Sequence, residues 1–179
     1  LSLFVWRVGR CLLPTGWAFT AGLITCITGP LLFYASQLLP AAPAAVLVTA
    51  VFLLVLRAGE RPTVWRWLTA GMVTGLATLM VATAIALVPV MAWFAWRSSK
   101  GRRVGVLHVA ALVAGVALLV LPVSFRNLVR TGHWVWLSAN DGVNFYVGNS
   151  RNWRVTLSAQ PGLDWDKLVR LPYSQGNAK

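Results

Sequence analysis

The amino-acid sequence predicts an all-α integral membrane protein: a polytopic helical bundle of about five spans and a partial one, followed by a short mixed extracytoplasmic segment. Composition is the first reason, because 58% of the 179 residues are hydrophobic and only 11% are charged, whereas about a quarter of a typical soluble domain is charged. The distribution of acids is the second. Glu60 is the only carboxylate between residues 1 and 139, which leaves too little polar surface for a globule in water.

The apolar runs give the predicted spans, since a helix crossing about 30 Å of hydrocarbon needs roughly 17 to 25 mostly apolar residues. Residues 67–96 are too long for one untilted helix at a rise of about 1.5 Å per residue, so we predict two helices that meet near Thr78 to Thr83. Residues 44–56 are short, so this helix either extends through its flanks or lies where the protein is thin. The other predicted spans are residues 17–34 and residues 104–121, the latter closed by Pro122.

The chain starts within an apolar stretch. Residues 1–8 have the character of the end of a hydrophobic helix, without the basic start and cleavage site of a signal peptide, and the first residue is not Met. We therefore expect an internal fragment that lacks its original N-terminus, with residues 1–8 as the partial span.

The basic residues predict the sidedness of the bundle. With two helices in residues 67–96, the groups of Arg and Lys all fall on one side, as the positive-inside rule requires of cytoplasmic loops. We therefore predict a transmembrane region in residues 1–122 and an extracytoplasmic segment in residues 123–179. Nucleic-acid binding is not expected despite the net charge of +12, because the cations are dispersed between apolar runs. These groups are Arg7 and Arg10; Arg57, Arg61 and Arg66; and Arg97, Lys100, Arg102 and Arg103.

Three further patterns concern packing. Small residues at spacings of three and four predict a close approach of two helices in lipid: Ala70, Gly71, Thr74, Gly75 and Ala77. Cys11 and Cys26 have no CxxC partner or neighbouring His, so we expect small buried residues, with neither a disulfide nor a metal site. Amphipathic rings near the predicted helix ends are typical of the headgroup level: Trp6, Trp17, Tyr34, Trp65, Trp67, Trp93 and Trp96.

The segment after the last predicted span contains the first candidate binding residue. Arg126 follows the apolar run at the depth where lipid phosphates lie, and a guanidinium group can hold a phosphate through two parallel hydrogen bonds. The alternative is an interfacial arginine that extends its side chain to bulk headgroups.

A polar turn follows. Alternation in residues 134–138 and 143–147 indicates short extended stretches, with Asn140-Asp141-Gly142 as the turn between them. Amides, carboxylates and aromatic rings are the groups that a sugar site uses, and Asn and Gly are equally common in ordinary turns.

The order of these residues resembles bacterial membrane glycosyltransferases of the GT-C superfamily, the relatives of dolichyl-phosphate-mannose protein mannosyltransferases and of the lipid A aminoarabinose transferase. The most specific likeness lies in residues 122–149, and residues 29–40 and 71–78 are similar to the middle helices of that family. The matching residues are a proline-ended helix running into Arg126-Asn127, then Gly132, then Ser138-x-Asn140-x-Gly142-x-Asn144-Phe145-Tyr146-x-Gly148-Asn149.

The resemblance implies transfer of a sugar from a polyprenyl-phosphate donor to an acceptor glycan, lipid or protein, on the extracytoplasmic side of a bacterial cytoplasmic membrane. It implies a catalytic carboxylate in an external loop upstream of Leu1, so the fragment alone is expected to be inactive. No metal ligand and no cofactor other than the donor are assigned. Arg126 and Arg130 would bind the donor phosphate. The sugar or acceptor pocket would comprise Asn140, Asp141, Asn144, Tyr146 and Asn149.

Two other classes stay open. A transporter or channel subunit places ionisable groups inside the membrane, and His108 is the one candidate within a predicted span, although a lone His near a helix end is more often interfacial. A noncatalytic assembly factor is the third class. Asp164 and Asp166 flank Trp165 beside Lys167, which is typical of a solvated face, and His133 has no recognisable partner.

Overall fold

The computed structural model describes residues 1–36 and 40–132, and all regular secondary structure in these ranges is helical. The predicted all-α class is therefore confirmed for the described part of the chain. These residues belong to one compact unit, Leu1–Leu137. In chain order the helices are α1 (Ser2–Leu12), α2 (Thr15–Ile27), α3 (Gly29–Ser36), α4 (Ala41–Glu60), α5 (Val64–Met80), a 3₁₀ helix (Ala82–Ala86), α6 (Leu87–Arg97) and α7 (Arg102–Thr131).

Two of the described helices, α4 and α7, are long and apolar enough to span a membrane. The α4 helix extends through both flanks of residues 44–56, the first of the two alternatives for that run. Only 22% and 39% of the most apolar stretches of α4 and α7 are buried, whereas a core helix of a soluble protein is mostly buried. Shorter apolar helices cover Thr15–Ile27 and Ala82–Arg97. The outward apolar surface favours association with a membrane.

Prolines mark where three of the helices begin. Pro30, Pro43 and Pro89 all lie in the first turn of a helix, where a backbone N–H has no intrahelical acceptor in any case. The single helix predicted over residues 17–34 is accordingly divided in two: the chain is extended at Thr28, two residues before Pro30. The predicted junction near Thr78 to Thr83 is confirmed by extended backbone at Val81, followed by the 3₁₀ helix.

The α7 helix does not end at Pro122, which corrects the prediction for the last span. Pro122 lies inside the helix, and membrane helices tolerate this because neighbouring side chains satisfy the backbone groups that proline leaves unpaired. In α7 the carbonyl that loses its usual donor is that of Leu118, four residues before Pro122. The buried Ser124 hydroxyl donates to the carbonyl of Val120, at 3.1 Å, a bond within the same helix. The helix ends at Gly132 with φ 69°, a left-handed conformation that glycine adopts readily, and the Gly132 N–H donates to the carbonyl of Leu128.

The closest helix packing joins α5 and α7, and it confirms the approach predicted from the small residues. The position that a Cβ on Gly75 would occupy lies 3.0 Å from the carbonyl oxygen of Val116. At Gly71 the same position is already filled by the carbonyl group of Leu112, with Gly115 beside it. Only glycine permits this contact at Gly71, because the opposing atoms belong to a backbone.

Trp67 belongs to the core, whereas its position near a helix end predicted an interfacial ring. Its side chain is fully buried, and its ring meets Phe94 edge-on at a centroid distance of 6.3 Å. Among the described residues, the Trp67 indole nitrogen is the one buried side-chain nitrogen or oxygen without a hydrogen-bond partner. Trp65, two residues earlier, is 75% exposed. The cysteines also differ from the prediction, since Cys11 and Cys26 are both exposed.

Candidate functional site

The extension of α7 beyond Pro122 positions the two predicted phosphate-binding arginines. Arg126 and Arg130 are both exposed, and both are helical rather than part of an irregular exit segment. A spacing of four residues places them on one face, about 6 Å apart along the helix axis. Both side chains therefore start from the same side of α7, and their role in binding a phosphate stays a prediction.

The length of α7 sets the depth of this pair. Arg103 lies at the start of the helix and Arg126 lies 23 residues later, which corresponds to about 35 Å at a rise of about 1.5 Å per residue. The hydrocarbon core is about 30 Å thick, and the bilayer is about 40–45 Å thick with its headgroups. If Arg103 lies in one headgroup layer, Arg126 lies in the other.

Few negative charges in the described residues can offset the charges of Arg126 and Arg130. Within the described ranges the only acid is Glu60, the last residue of α4. Arg61 follows it directly, and Arg66 of α5 donates to the Arg61 carbonyl. No carboxylate on α7 neutralises Arg126 or Arg130. Arg130 also lies in the last turn of the helix, where a cation interacts favourably with the C-terminal carbonyl groups. Arg126 is therefore the better candidate for a ligand, and Arg130 serves both the ligand and the helix end.

The predicted sugar or acceptor pocket lies outside the described residues, as do His133 and the acids Asp164 and Asp166. The structure neither places these residues near Arg126 nor separates them from it. The residues concerned are Asn140, Asp141, Asn144, Tyr146 and Asn149.

His108 is a buried, hydrogen-bonded residue of α7. Its Nδ1 lies 2.7 Å from the hydroxyl of Ser99, and that hydroxyl donates its single proton to the carbonyl of Ala95. The imidazole Nδ1–H therefore donates to Ser99. The ring centroid of Trp67 lies 6.4 Å away. These contacts tie the start of α7 to the end of α6, which is a structural role.

No group of three or more His, Cys, Asp or Glu side chains that could hold a metal ion occurs in the part of the chain that the structure describes.

The sequence interpretation missed a second cluster of cations. Arg7 and Arg10 of α1 and Arg57 of α4 surround one pocket, together with Trp6 and Cys11. The spacing of Arg7 and Arg10 indicates a shared helix face, but the pairing with Arg57 arises only from the packing of α1 on α4.

Comparison with known proteins gave no match among protein-family models, curated proteins or solved structures.

Proposed function

We propose that the chain forms part of a polytopic membrane glycosyltransferase, which moves a sugar from a polyprenyl-phosphate donor to an acceptor on the extracytoplasmic side of a bacterial cytoplasmic membrane. One observation carries the proposal: Arg126 and Arg130 are exposed together on α7, about 35 Å along the helix from the basic residues at its start. Two guanidinium groups at that depth suit the phosphate of a lipid-linked donor.

The proposal includes a bundle of about five spans and a partial one. Beyond α4 and α7, the pair α2 and α3 covers residues 15–36, which measure about 33 Å if their axes continue one another. The α5 helix has 17 residues and measures about 26 Å. The 3₁₀ helix with α6 has a similar length, about 26 Å. A bilayer accommodates such short segments by local thinning, and α1 would be the partial span.

In the proposed mechanism an acceptor hydroxyl attacks the anomeric carbon of the donor with inversion, and the bond to the lipid phosphate breaks. The phosphate leaves with the electron pair, and Arg126 stabilises its charge. Preplaced guanidinium groups do this without reorganising during the reaction. The catalytic carboxylate that removes the hydroxyl proton comes from outside the described residues, as the resemblance to the GT-C superfamily implies. Glu60 does not fit this role, because it lies among the basic connectors at the opposite end of the bundle.

Donor binding tests the proposal directly and does not require a catalytic base. The full chain in lipid nanodiscs is titrated with undecaprenyl phosphate, and Arg126→Ala is compared with Arg103→Ala, which removes the same charge at the other end of α7. A lost charge-assisted hydrogen bond of about 1.5–3 kcal/mol corresponds to about 10- to 100-fold weaker binding for Arg126→Ala. Arg103→Ala should bind as the wild type does. Equal affinities for the wild type and Arg126→Ala would remove Arg126 from the site.

Transport, the other class that the sequence leaves open, gains no support from His108. A proton relay needs successive ionisable groups through the membrane, whereas His108 is hydrogen-bonded to Ser99 near the start of α7. Flux of a small solute through proteoliposomes, together with undetectable binding of undecaprenyl phosphate, would favour transport over glycosyl transfer.

A further inference from the structure

Three arginines surround a single pocket at the arginine-bearing end of the bundle. Arg7 and Arg10 come from α1 and Arg57 comes from α4, and the cavity between them measures about 460 Å³. All three residues are exposed, so a ligand reaches them without any rearrangement of the core. The volume lies in the range that is usual for small-molecule sites.

Among the described residues, no carboxylate pairs with the arginines of this pocket. The pocket contains no carboxylate, and no ion pair joins its arginines to Glu60, the only acid of the described ranges. The guanidinium carbon of Arg10 lies 5.6 Å from the ring centroid of Trp6, a cation–π contact that holds Arg10 at the rim. Like charges held together repel one another, and a bound anion removes that repulsion.

Arginine also selects the type of anion. Its planar fork of N–H groups matches the oxygen atoms of a phosphate, and several such forks around one pocket bind a phosphate from different directions. Arg7 and Arg10 approach from one helix, and Arg57 approaches from another. The pocket therefore fits a phosphate or phosphodiester group.

An apolar groove lies against the same two helices, α1 and α4, that form the arginine pocket. It measures about 240 Å³ and lies between α1, α4 and α6. Val8 and Leu12 of α1 line the groove, while their chain neighbours Arg7 and Cys11 line the arginine pocket. On α4, Leu56 lines the groove and the next residue, Arg57, lines the pocket. An anionic site and a hydrophobic site thus share both helices.

We infer that this pair of cavities binds an anionic phospholipid, with its phosphodiester among Arg7, Arg10 and Arg57 and an acyl chain in the apolar groove that the same helices form. A free phosphate ester would use the arginine pocket alone. A zwitterionic phospholipid carries its own cation, which the three arginines repel. The site lies at the end of the bundle opposite Arg126, so it is independent of the proposed donor site.

The two cysteines report on two cavities: Cys11 lines the arginine pocket, and Cys26 lines a second cavity that shares Trp6 with it. Both thiols are exposed, and the chain has only these two. The full chain in dodecylmaltoside micelles is titrated with dioleoyl phosphatidylglycerol, and the rate of maleimide labelling at each cysteine is followed by peptide mass spectrometry. We expect labelling of Cys11 to slow by at least about tenfold at saturation, with Cys26 unchanged. Equal protection of Cys11 and Cys26 would place the acyl chain in the cavity of Cys26 and would overturn the inference.

Two further ligands test separately the need for a net negative charge and the need for an acyl chain. Dioleoyl phosphatidylcholine should leave the labelling of Cys11 unchanged at the same concentration. Glycerol 3-phosphate should protect Cys11 only at concentrations at least about a hundredfold higher, because it lacks the chain that fills the groove. Equal protection by phosphatidylcholine, or by glycerol 3-phosphate at the concentration of the lipid, would overturn the inference.

A charge-matched pair of variants separates the site from general attraction to an anionic lipid. The variant R7A/R10A/R57A removes the pocket arginines, and the variant R97A/R102A/R103A removes three exposed arginines from the end of α6 and the start of α7. We expect the first to weaken protection of Cys11 by at least about tenfold and the second to leave it unchanged. Equal weakening in both would show that only net charge matters. The single variant Arg57→Gln, remote in sequence from Cys11, should weaken protection severalfold and guards against misfolding of the triple variant.

Discussion

The contact between α5 and α7 predicts a large effect from one added methyl group. In Gly71→Ala the new Cβ would occupy the position of the Leu112 carbonyl group and would lie 3.2 Å from the Cα of Gly115. The obstructing atoms belong to the backbone of α7, so no side chain can rotate away. The two helices must therefore separate to admit the methyl group.

The size of the effect follows from comparison with an unobstructed glycine. Overpacking of this kind costs about 1–3 kcal/mol. Gly16 lies in the first turn of α2, and a Cβ there meets nothing within 4 Å. Gly16→Ala therefore carries only the gain in helix propensity, up to about 1 kcal/mol. The two substitutions are chemically identical, yet we expect them to change the free energy of unfolding in opposite directions.

Reversible unfolding in mixed micelles measures this difference. The wild type, Gly71→Ala and Gly16→Ala are titrated from dodecylmaltoside into sodium dodecyl sulfate, and helix content is followed by circular dichroism. A free energy of unfolding for Gly71→Ala equal to or above that of the wild type would refute the close approach of α5 and α7 at Leu112.

Two other pairs of variants can be measured in the same way. Trp67→Ala should lower the free energy of unfolding by about 3–5 kcal/mol because it empties a fully buried site, whereas Trp65→Ala, at a ring that is 75% exposed, should change it by less than about 0.5 kcal/mol. A similar loss in both would place Trp67 outside the core. Ser99→Ala leaves the Nδ1–H of His108 without its acceptor and should cost about 1–3 kcal/mol. Ser98→Ala removes only a side-chain bond to a carbonyl that already accepts from the backbone and should cost less than about 0.5 kcal/mol, so equal losses would contradict the His108 contact.

Bilayer dimensions made some helix junctions predictable. The junction at Val81 follows from an apolar run too long for a single crossing, and the structure places it where expected. The junction at Thr28 was missed because residues 17–34 have an acceptable length for one span. Pro30 gave the local signal for it, since proline in a first turn marks where a helix begins.

The environment of the helix explains why the predicted end of the last span at Pro122 is wrong. Proline ends helices in water because it removes a donor and clashes with the preceding turn, but a helix in an apolar environment has no alternative partners for its backbone groups and continues. The continuation of α7 converts Arg126 and Arg130 from residues of an irregular segment into a pair on one helix face.

The direction in which each side chain points around α5 explains why Trp67 is buried and Trp65 is exposed. Proximity to a helix end gave the same prediction for Trp65 and Trp67, but their side chains point about 160° apart around α5. Trp67 shares its helix face with Ala70, Gly71 and Thr74, at spacings of three, four and seven. This pattern indicates burial, but it was not applied to Trp67. The arginine pocket had no such pattern, because Arg57 lies 47 positions after Arg10 and only tertiary packing brings them together.

The proposed function depends most directly on the side of the membrane at which Arg126 lies. In a background that carries Cys11→Ser and Cys26→Ser, the variants Lys100→Cys and Ser138→Cys are expressed singly and labelled with a membrane-impermeant maleimide, before and after the cells are permeabilised. Lys100 lies exposed between α6 and α7, and Ser138 follows α7 in the sequence. We predict that Ser138→Cys is labelled in intact cells and that Lys100→Cys is labelled only after permeabilisation. Labelling of Lys100→Cys in intact cells, with Ser138→Cys protected, would contradict the placement of Arg126 on the extracytoplasmic face.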